Sequence, residues 1–423
     1  MSSGRERVVL LAVLVAAVFA RPVLALEVNI TLYPSEKRQT MVGWEATAQA
    51  GQEASPHWDK YKDDLFDKAV NELGINRLKV GVESRSHGAD FDLAKVDRRV
   101  DKVALPIKKL LEARGRKLYL NFNVVGSGLQ NEPDKYAQNV LATFQHMKAK
   151  YGFVPDGWEF ALEPITFGWG RPAQLAACII ATGDLLTQKG YDPEWIWPSS
   201  MGLGRAIQWF DTIAADHPKA LKYFDEYSYH PYRDDTPEKR KAIKQRANKH
   251  KVRTSQLEHI GRHFHHLHAD IAYGVSAWCQ YSLCFPTPSD NGAKYFLIGS
   301  PPDHVVMGER TKFLRHYMKF VRRGAVRIKA TSDHVNYNAL AFINAGGGYV
   351  VVIKAASVGN FHIHNLAPGT YGIKYTTGKP MEEPWEYNVD LKDQKVSAGE
   401  TLSARMPKRG VITVYAKVAA SKP

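Results

Sequence analysis

The chain of 423 residues carries 57 Lys and Arg against 43 Asp and Glu, a formal charge of +14, with 44% apolar and 24% charged residues. That composition excludes intrinsic disorder and a fibrous architecture. The length is too great for one ordinary core but suits a barrel of about 250 residues with a smaller companion domain. Three scattered cysteines, Cys178, Cys279 and Cys284, exclude a disulfide framework. A Cys279–Cys284 pair across a loop and free thiols both stay open. The basic balance favours anionic polymers or surfaces as partners, although it can also arise for no site-specific reason. Nucleic acid is disfavoured, because no recognisable binding module is present.

At the N-terminus Arg5 and Arg7 form a basic region, Val8 to Ala20 runs apolar but too short for a span, and Val23-Leu24-Ala25 offers a cleavage site. Residues 1–25 therefore read as a signal peptide, with an uncleaved anchor as the alternative, and the mature protein is expected to be secreted or periplasmic. Residues 28–40 alternate like a strand, with the first barrel strand candidate at 40–45. A helix fits 58–73, where Leu65, Phe66, Ala69, Val70 and Leu73 share a stripe and Gly74 stops it. A strand at 75–82, a helix at 97–114, a strand at 117–123 and a helix at 133–151 follow.

The stretch 156–164, Asp-Gly-Trp-Glu-Phe-Ala-Leu-Glu-Pro, reads as a buried strand ended by Pro164, which has no N–H for a ladder. Further strands are expected at 194–198, 223–229, 251–257 and 274–281. Helices are expected at 172–189, 205–216, 237–250, 261–270 and 308–323. Eight β-then-α units imply a parallel sheet closed as a (β/α)8 TIM barrel. A doubly wound open sheet is the runner-up, without a Gly-x-Gly-x-x-Gly to support it. After Gly324 the texture changes to short β-rich runs at 326–331, 338–343, 348–355, 360–363, 370–375, 385–390 and 411–417. These predict a β-sandwich at 326–420, joined by the N-terminal strand 26–40, with the barrel at 41–325 and no flexible linker between them.

Active sites of such barrels gather at the C-terminal strand ends. Here those ends offer Trp44 and Glu45, Glu83, Asn123, Glu163, Ser199 and Ser200, His230 and Tyr232, Glu258, and Trp278. Glu163 and Glu258 close the fourth and seventh strands. Two carboxylates facing across a pocket suit glycoside hydrolysis, one protonating the leaving oxygen and one attacking the anomeric carbon or activating water. Glu159 shares the parity of Glu163 and is expected inside the barrel, paired with Lys79 or Arg77.

On these residues the chain resembles a clan A glycoside hydrolase. Glu163-Pro164 is similar to the clan's acid/base at strand four, and Glu258 after Gln256-Leu257 to its strand-seven nucleophile. Gly74-Ile75-Asn76-Arg77 resembles the strand-two pattern whose Arg supports the carboxylates, His230-Pro231-Tyr232 the strand-six ligands, and Trp278 the strand-eight sugar platform. Tyr33-Pro34-Ser35 with Gln39-Thr40-Met41-Val42-Gly43-Trp44 resembles the opening of family 30, and the Trp-x-Phe before Glu163 is also similar to family 39. The resemblance implies a retaining glycosidase that cleaves O-glycosidic bonds by two-glutamate double displacement. Glu163 would be the acid/base, with a pKa raised by its neighbour, and Glu258 the nucleophile, kept ionised by Arg77 with Tyr232 or His230.

Trp44, Asn123, His230, Tyr232 and Trp278 would bind or support a polysaccharide or oligosaccharide, anionic types included. No cofactor and no metal is called for, and a monomer is expected. One departure stands out: the clan's Asn before the acid/base is Leu162 here, which cannot bond a sugar hydroxyl. Asn121 or Asn123 is the substitute the sequence offers, and a catalytically degenerate barrel that only binds glycans is the alternative function. A histidine-rich stretch, His259, His263, His265, His266 and His268, raises metal binding, but its spacing is not His-Glu-x-x-His and a solvated surface is the expected reading.

Overall fold

A computed structural model describes residues 26–48, 55–284, 290–379 and 382–417. The signal-peptide expectation at 1–25 lies outside the described residues. In chain order the first half runs β1 (Glu27–Thr40), β2 (Gly43–Thr47), α1 (Trp58–Asp67), β3 (Arg77–Val82), α2 (Leu93–Arg99), α3 (Leu105–Glu112), β4 (Tyr119–Val124), α4 (Pro133–Tyr151), β5 (Gly157–Glu159) and α5 (Pro172–Gln188). Then come β6 (Glu194–Met201), α6 (Leu203–Asp216), β7 (Glu226–His230), α7 (Pro237–His250), β8 (Arg253–Gln256), α8 (Phe264–Ala272), β9 (Val275–Cys284), the hairpin β10 (Lys294–Ile298) and β11 (Val305–Met307), and α9 (Glu309–Met318). Strands β2 to β9 pair in sequence order, and β9 is parallel to both β8 and β2, which closes the barrel. The expected (β/α)8 architecture is therefore present.

Local chemistry explains the helix limits. Pro133 begins α4, where its missing N–H costs nothing, and Gly152 ends it in the left-handed region at φ 76°. Tyr136, Val140, Phe144 and Met147, three or four residues apart, form its buried stripe. α1 runs on as a π-helical segment, Lys68–Leu73, that stops at Gly74. A Cβ on Gly74 would stand 2.5 Å from the Met318 carbonyl oxygen of α9, so only glycine fits. Helices and strand exteriors share one apolar cluster rich in aromatic pairs, such as Phe160 stacked on Trp195 at 5.5 Å.

The remaining strands are β12 (Val326–Ser332), β13 (Tyr337–Ile343), β14 (Tyr349–Ala355), β15 (Gly359–His364), β16 (Gly369–Thr377), β17 (Glu386–Val396), β18 (Leu402–Met406) and β19 (Gly410–Ala416). With β1 they form one nine-stranded sheet in the order β17-β16-β19-β14-β13-β12-β1-β15-β18. Phe361 and Leu402 near one edge and Tyr371 and Ile373 near the other share one core, so the sheet folds over itself as a sandwich. β1 joins it between β12 and β15, as the alternation at 28–36 suggested. Its outer face rests on α9, where buried His316 meets Thr413 Oγ1 at 2.9 Å and Thr376 Oγ1 at 2.8 Å. Burial, aided by Arg315, pushes that imidazole down to about 3, so it sits there neutral. The contact fixes sandwich to barrel without a linker.

Candidate active site

The chain through Glu163 is organised by its backbone. Regular β5 is only Gly157–Glu159, but the extended run continues between β4 and β6. Leu162 N–H donates to the Val124 carbonyl at 2.8 Å and Glu163 N–H to the Ser199 carbonyl at 3.1 Å. Glu163 itself adopts φ 39°. A left-handed, non-glycine residue carries a conformational cost that surrounding bonds must hold in place, and such residues gather at functional sites. The strand expected over 156–164 is thus shorter as a ladder, yet it delivers Glu163 to the mouth of the barrel.

Glu163 is 6% exposed and Glu258 8%. One oxygen of each, with one ring nitrogen of His230, lie within 4.8 Å of one another. His230 Nδ1 is 3.1 Å from Glu163 Oε1. The Tyr232 hydroxyl donates to Glu258 Oε1 at 3.2 Å and accepts the Ile260 N–H at 3.1 Å, which fixes its direction. Glu163, His230, Tyr232 and Glu258 are therefore brought together.

Beneath them the barrel interior is filled by charge rather than by branched aliphatics. Arg77 donates its Nε to Glu45 at 2.9 Å and grips Glu226 with both terminal nitrogens at 3.1 and 3.0 Å. Burial alone would raise Glu226, but Arg77 and then Arg253 outweigh it and bring its carboxyl down to about 2. One layer up, Lys79 lies 3.4 Å from Glu159 and donates to the Leu257 carbonyl at 3.0 Å, one residue before Glu258. Burial pulls the Lys79 ammonium down, yet Glu159, Glu45 and Glu258 outweigh it, so it stays charged. Asn121 donates to Glu159 at 2.9 Å.

Several expectations need correction. Arg77 does not reach Glu258 or Glu163: its donors are spent on Glu45 and Glu226, and the cation supporting the upper layer is Lys79. Trp44 and Trp278 do not line the pocket. Each is buried on the outer side of the barrel, Trp44 donating its ring N–H to the Val321 carbonyl at 2.7 Å and Trp278 to Asp270 of α8 at 2.9 Å. Parity decides this, since Cys279 and Tyr281, offset from Trp278 by odd numbers, are the residues that sense Glu258 and Lys79. Nor is Glu163 raised. Burial pushes its carboxyl up, but the hydrogen bond and charge of His230, then Thr166 and Lys79, hold it below its ordinary value.

Of the two candidate substitutes for the missing Asn, Asn121 is engaged with Glu159, whereas both amide atoms of fully buried Asn123 lack partners. Asn121 keeps only its Oδ1 unpartnered, so the greater free hydrogen-bonding capacity is at Asn123. The histidine-rich stretch is not a solvated surface. His259 and His268 are buried and the others half-buried. Burial, followed by Arg310, pushes His263 down to about 4, and burial followed by His263 pushes His265 and His266 to about 3. Arg262 lies against His259 and 2.8 Å from His266, a cation where a metal ion would have to sit. Among the described residues the one His/Cys/Asp/Glu group with metal-compatible spacing is Glu163, His230 and Glu258. All three cysteines are buried. No helix among the described residues is long and apolar enough to cross a membrane.

The residues missed as site members are Lys79, Tyr281 and the rim beside Glu163, where Arg205 and Arg233 join Ser200 around a cavity of about 250 Å³.

No protein-family profile matches the chain, and no curated protein matches it. Solved structures do. The catalytic domain of GH30 xylanase C from Talaromyces cellulolyticus aligns with a TM-score of 0.68 at 14% identity, over 92% of this chain and 100% of that one. SrfJ from Salmonella typhimurium gives 0.71 at 11% identity, over 94% of each chain. An endo-beta1,6-glucanase gives 0.69 at 15%, over 92% of this chain and 94% of that one. A GH39 enzyme from Xanthomonas axonopodis pv. citri gives 0.57 at 12%, over 92% and 97%. In fold, the chain is most like the glycoside hydrolase family 30 barrels, within the wider clan A architecture.

Proposed function

We propose that the protein is an exported retaining glycoside hydrolase acting on a polysaccharide or oligosaccharide. The catalytic unit is the barrel, residues 41–325, and the companion unit is the sandwich of 26–40 and 326–420. The observation that carries this reading is the approach of one Glu163 oxygen and one Glu258 oxygen to within 4.8 Å. Retaining enzymes hold their carboxyl groups about 5–5.5 Å apart, whereas inverting ones need about 6.5–9.5 Å to admit a water.

Glu258, held by the Tyr232 hydroxyl, attacks the anomeric carbon. The glycosidic C–O bond breaks as Glu163 gives its proton to the leaving oxygen, leaving a glycosyl ester on Glu258. Glu163, now a carboxylate, takes a proton from water as that water attacks the anomeric carbon; the bond from that carbon to the Glu258 oxygen breaks, Glu258 leaves as a carboxylate and the sugar's configuration is restored. His230 orients Glu163. The unpartnered amide of Asn123 is the group we assign to a sugar hydroxyl in place of the position occupied by Leu162. The xylanase and glucanase names of the structural neighbours make β-linked xylans and glucans the first substrates to test.

Incubation with activated aryl glycosides and a 2-fluoro sugar should give turnover and a covalent label on Glu258. Label on another residue would remove Glu258 from its role. A glycan-binding protein without activity is the second reading, favoured by Leu162 and by the depressed Glu163 carboxyl, and binding without turnover or label would establish it.

A further inference from the structure

The N-terminal end of the barrel, opposite Glu163 and Glu258, carries a cavity of about 650 Å³ between the end of β1, helix α7 and the starts of β8 and β9. Five cations line it, Lys37, Arg38, Lys244, Lys251 and Arg253, and no carboxylate does. Arg38 is paired with Glu36, and Arg253 with Glu194 and Glu226. Lys37, Lys244 and Lys251 make no ion pair among the described residues.

The excess charge is built in rather than scattered. Arg327, behind the wall, is held by neutral acceptors, Gln39 Oε1 at 2.9 Å and the Ala272 carbonyl at 3.3 Å. Burial, then Arg38, depresses its pKa to about 10, and burial, then Arg327 and Arg38, depresses that of Lys244. Burial is the larger cause of both shifts, and the neighbouring guanidinium groups add to it. The buried Nε of Arg253 has no partner, an unmet donor in the wall. A second cavity of about 400 Å³ near the starts of β3 and β4 repeats the pattern with Arg116, Lys117, Arg322 and Arg323, and Arg322 Nη1 is likewise buried and unpartnered.

We propose that this end of the barrel is a second glycan-binding site, separate from the two glutamates, which takes an anionic saccharide through its carboxylate or sulfate groups. Concavity favours this ligand over a duplex or a bilayer, which present broad surfaces. So does the neutral side chain of Asn248 among the cations, which suits a sugar hydroxyl between the charges. Binding here does not require hydrolysis, so the site stands or falls independently of the catalytic reading.

The test is calorimetric titration of the whole protein with polygalacturonate oligomers, sulfated dextran and a neutral xylan at about 0.15 M salt, where purely surface attraction is largely screened. The expected result is binding of at least one anionic saccharide at this site, the arm that binds assigning carboxylate or sulfate. Lys37→Glu with Lys244→Glu should weaken it about tenfold or more, equivalent to about 1.4 kcal/mol. Hydrolysis of a small aryl glycoside should be unchanged, and Lys244→Arg should bind as the wild type does. Should the double reversal fail to fold, Lys244→Gln carries the same test. No anionic saccharide binding, undiminished binding by a folded charge variant, or equal binding of duplex DNA and anionic vesicles lost through the same substitutions would each overturn the proposal.

Discussion

His230 presents Nδ1 to Glu163 at 3.1 Å while its Nε2 stands 3.9 Å from Glu159, so one imidazole adjoins the proposed proton donor and the buried carboxylate beneath it. Below Glu159 the contacts continue to Lys79, and from Lys79 to the backbone just before Glu258. The two glutamates are thus tied through the barrel interior as well as across its mouth.

This relation sets the pH profile. His230 favours the ionised form of Glu163, and the alkaline limb of kcat/KM reports loss of the acid's proton. His230→Gln removes the charge, so Glu163 keeps its proton to higher pH. The alkaline limb should move upward in a pH–rate series, and an unmoved or lowered limb would contradict the assignment.

Glu163→Gln should lower turnover of substrates with poor leaving groups by about 10²–10⁴-fold, the usual contribution of a positioned acid. Activated aryl glycosides, which leave without help, should suffer less in the first step. Glu258→Gln should abolish hydrolysis of both kinds. Proton NMR of the first-formed product should show retained anomeric configuration.

Glu226 carries a stability prediction. Its carboxyl is lowered in the fold to about 2 from an ordinary 4.5. Its ion-pair stabilisation is therefore fully present above pH 4.5 and is lost as the pH falls from there towards 2. Glu226→Gln leaves Arg77 with Glu45 alone and should cost about 3–5 kcal/mol, as breaking a buried pair does. Denaturant unfolding at pH 7 and at pH 3 should show the penalty shrinking at the lower pH.

The two aromatics of β9 should separate cleanly. Trp278→Ala empties a core position and takes a donor from Asp270, so it should cost about 3–5 kcal/mol of stability with KM little changed. Tyr281→Ala should do the reverse, raising KM with a near-native melting temperature. A raised KM for the Trp278 variant alone would place the sugar platform back on the tryptophan.

Dialysis against a chelator should leave activity intact, since the proposed chemistry uses only the two carboxylates. Chelator-sensitive activity restored by zinc would instead assign Glu163, His230 and Glu258, whose ligand atoms share a 4.8 Å neighbourhood, to a metal site.

Much of this protein is determined within short windows of its sequence. The helices at 133–151 and 237–250 coincide with α4 and α7, because a 3.6-residue stripe, an N-terminal proline and a C-terminal stop act locally. Glu163 is placed at the end of its strand for the same kind of reason, an apolar run halted by proline. β18 escaped notice because only its ends, Leu402 and Met406, are buried, four residues apart with polar or small residues between. What the tertiary structure alone decided is which face each strand turns inward and which charge meets which. Arg77 meets Glu226 across 149 residues of sequence, and that choice depends on the stagger of a closed barrel, a property of all eight strands together. The same closure turned Trp44 and Trp278 outward, left Asn123 unpaired, and put Lys79 where Arg77 was expected. A local pattern carries the position of a side chain along a strand, but only the closed sheet carries its partner.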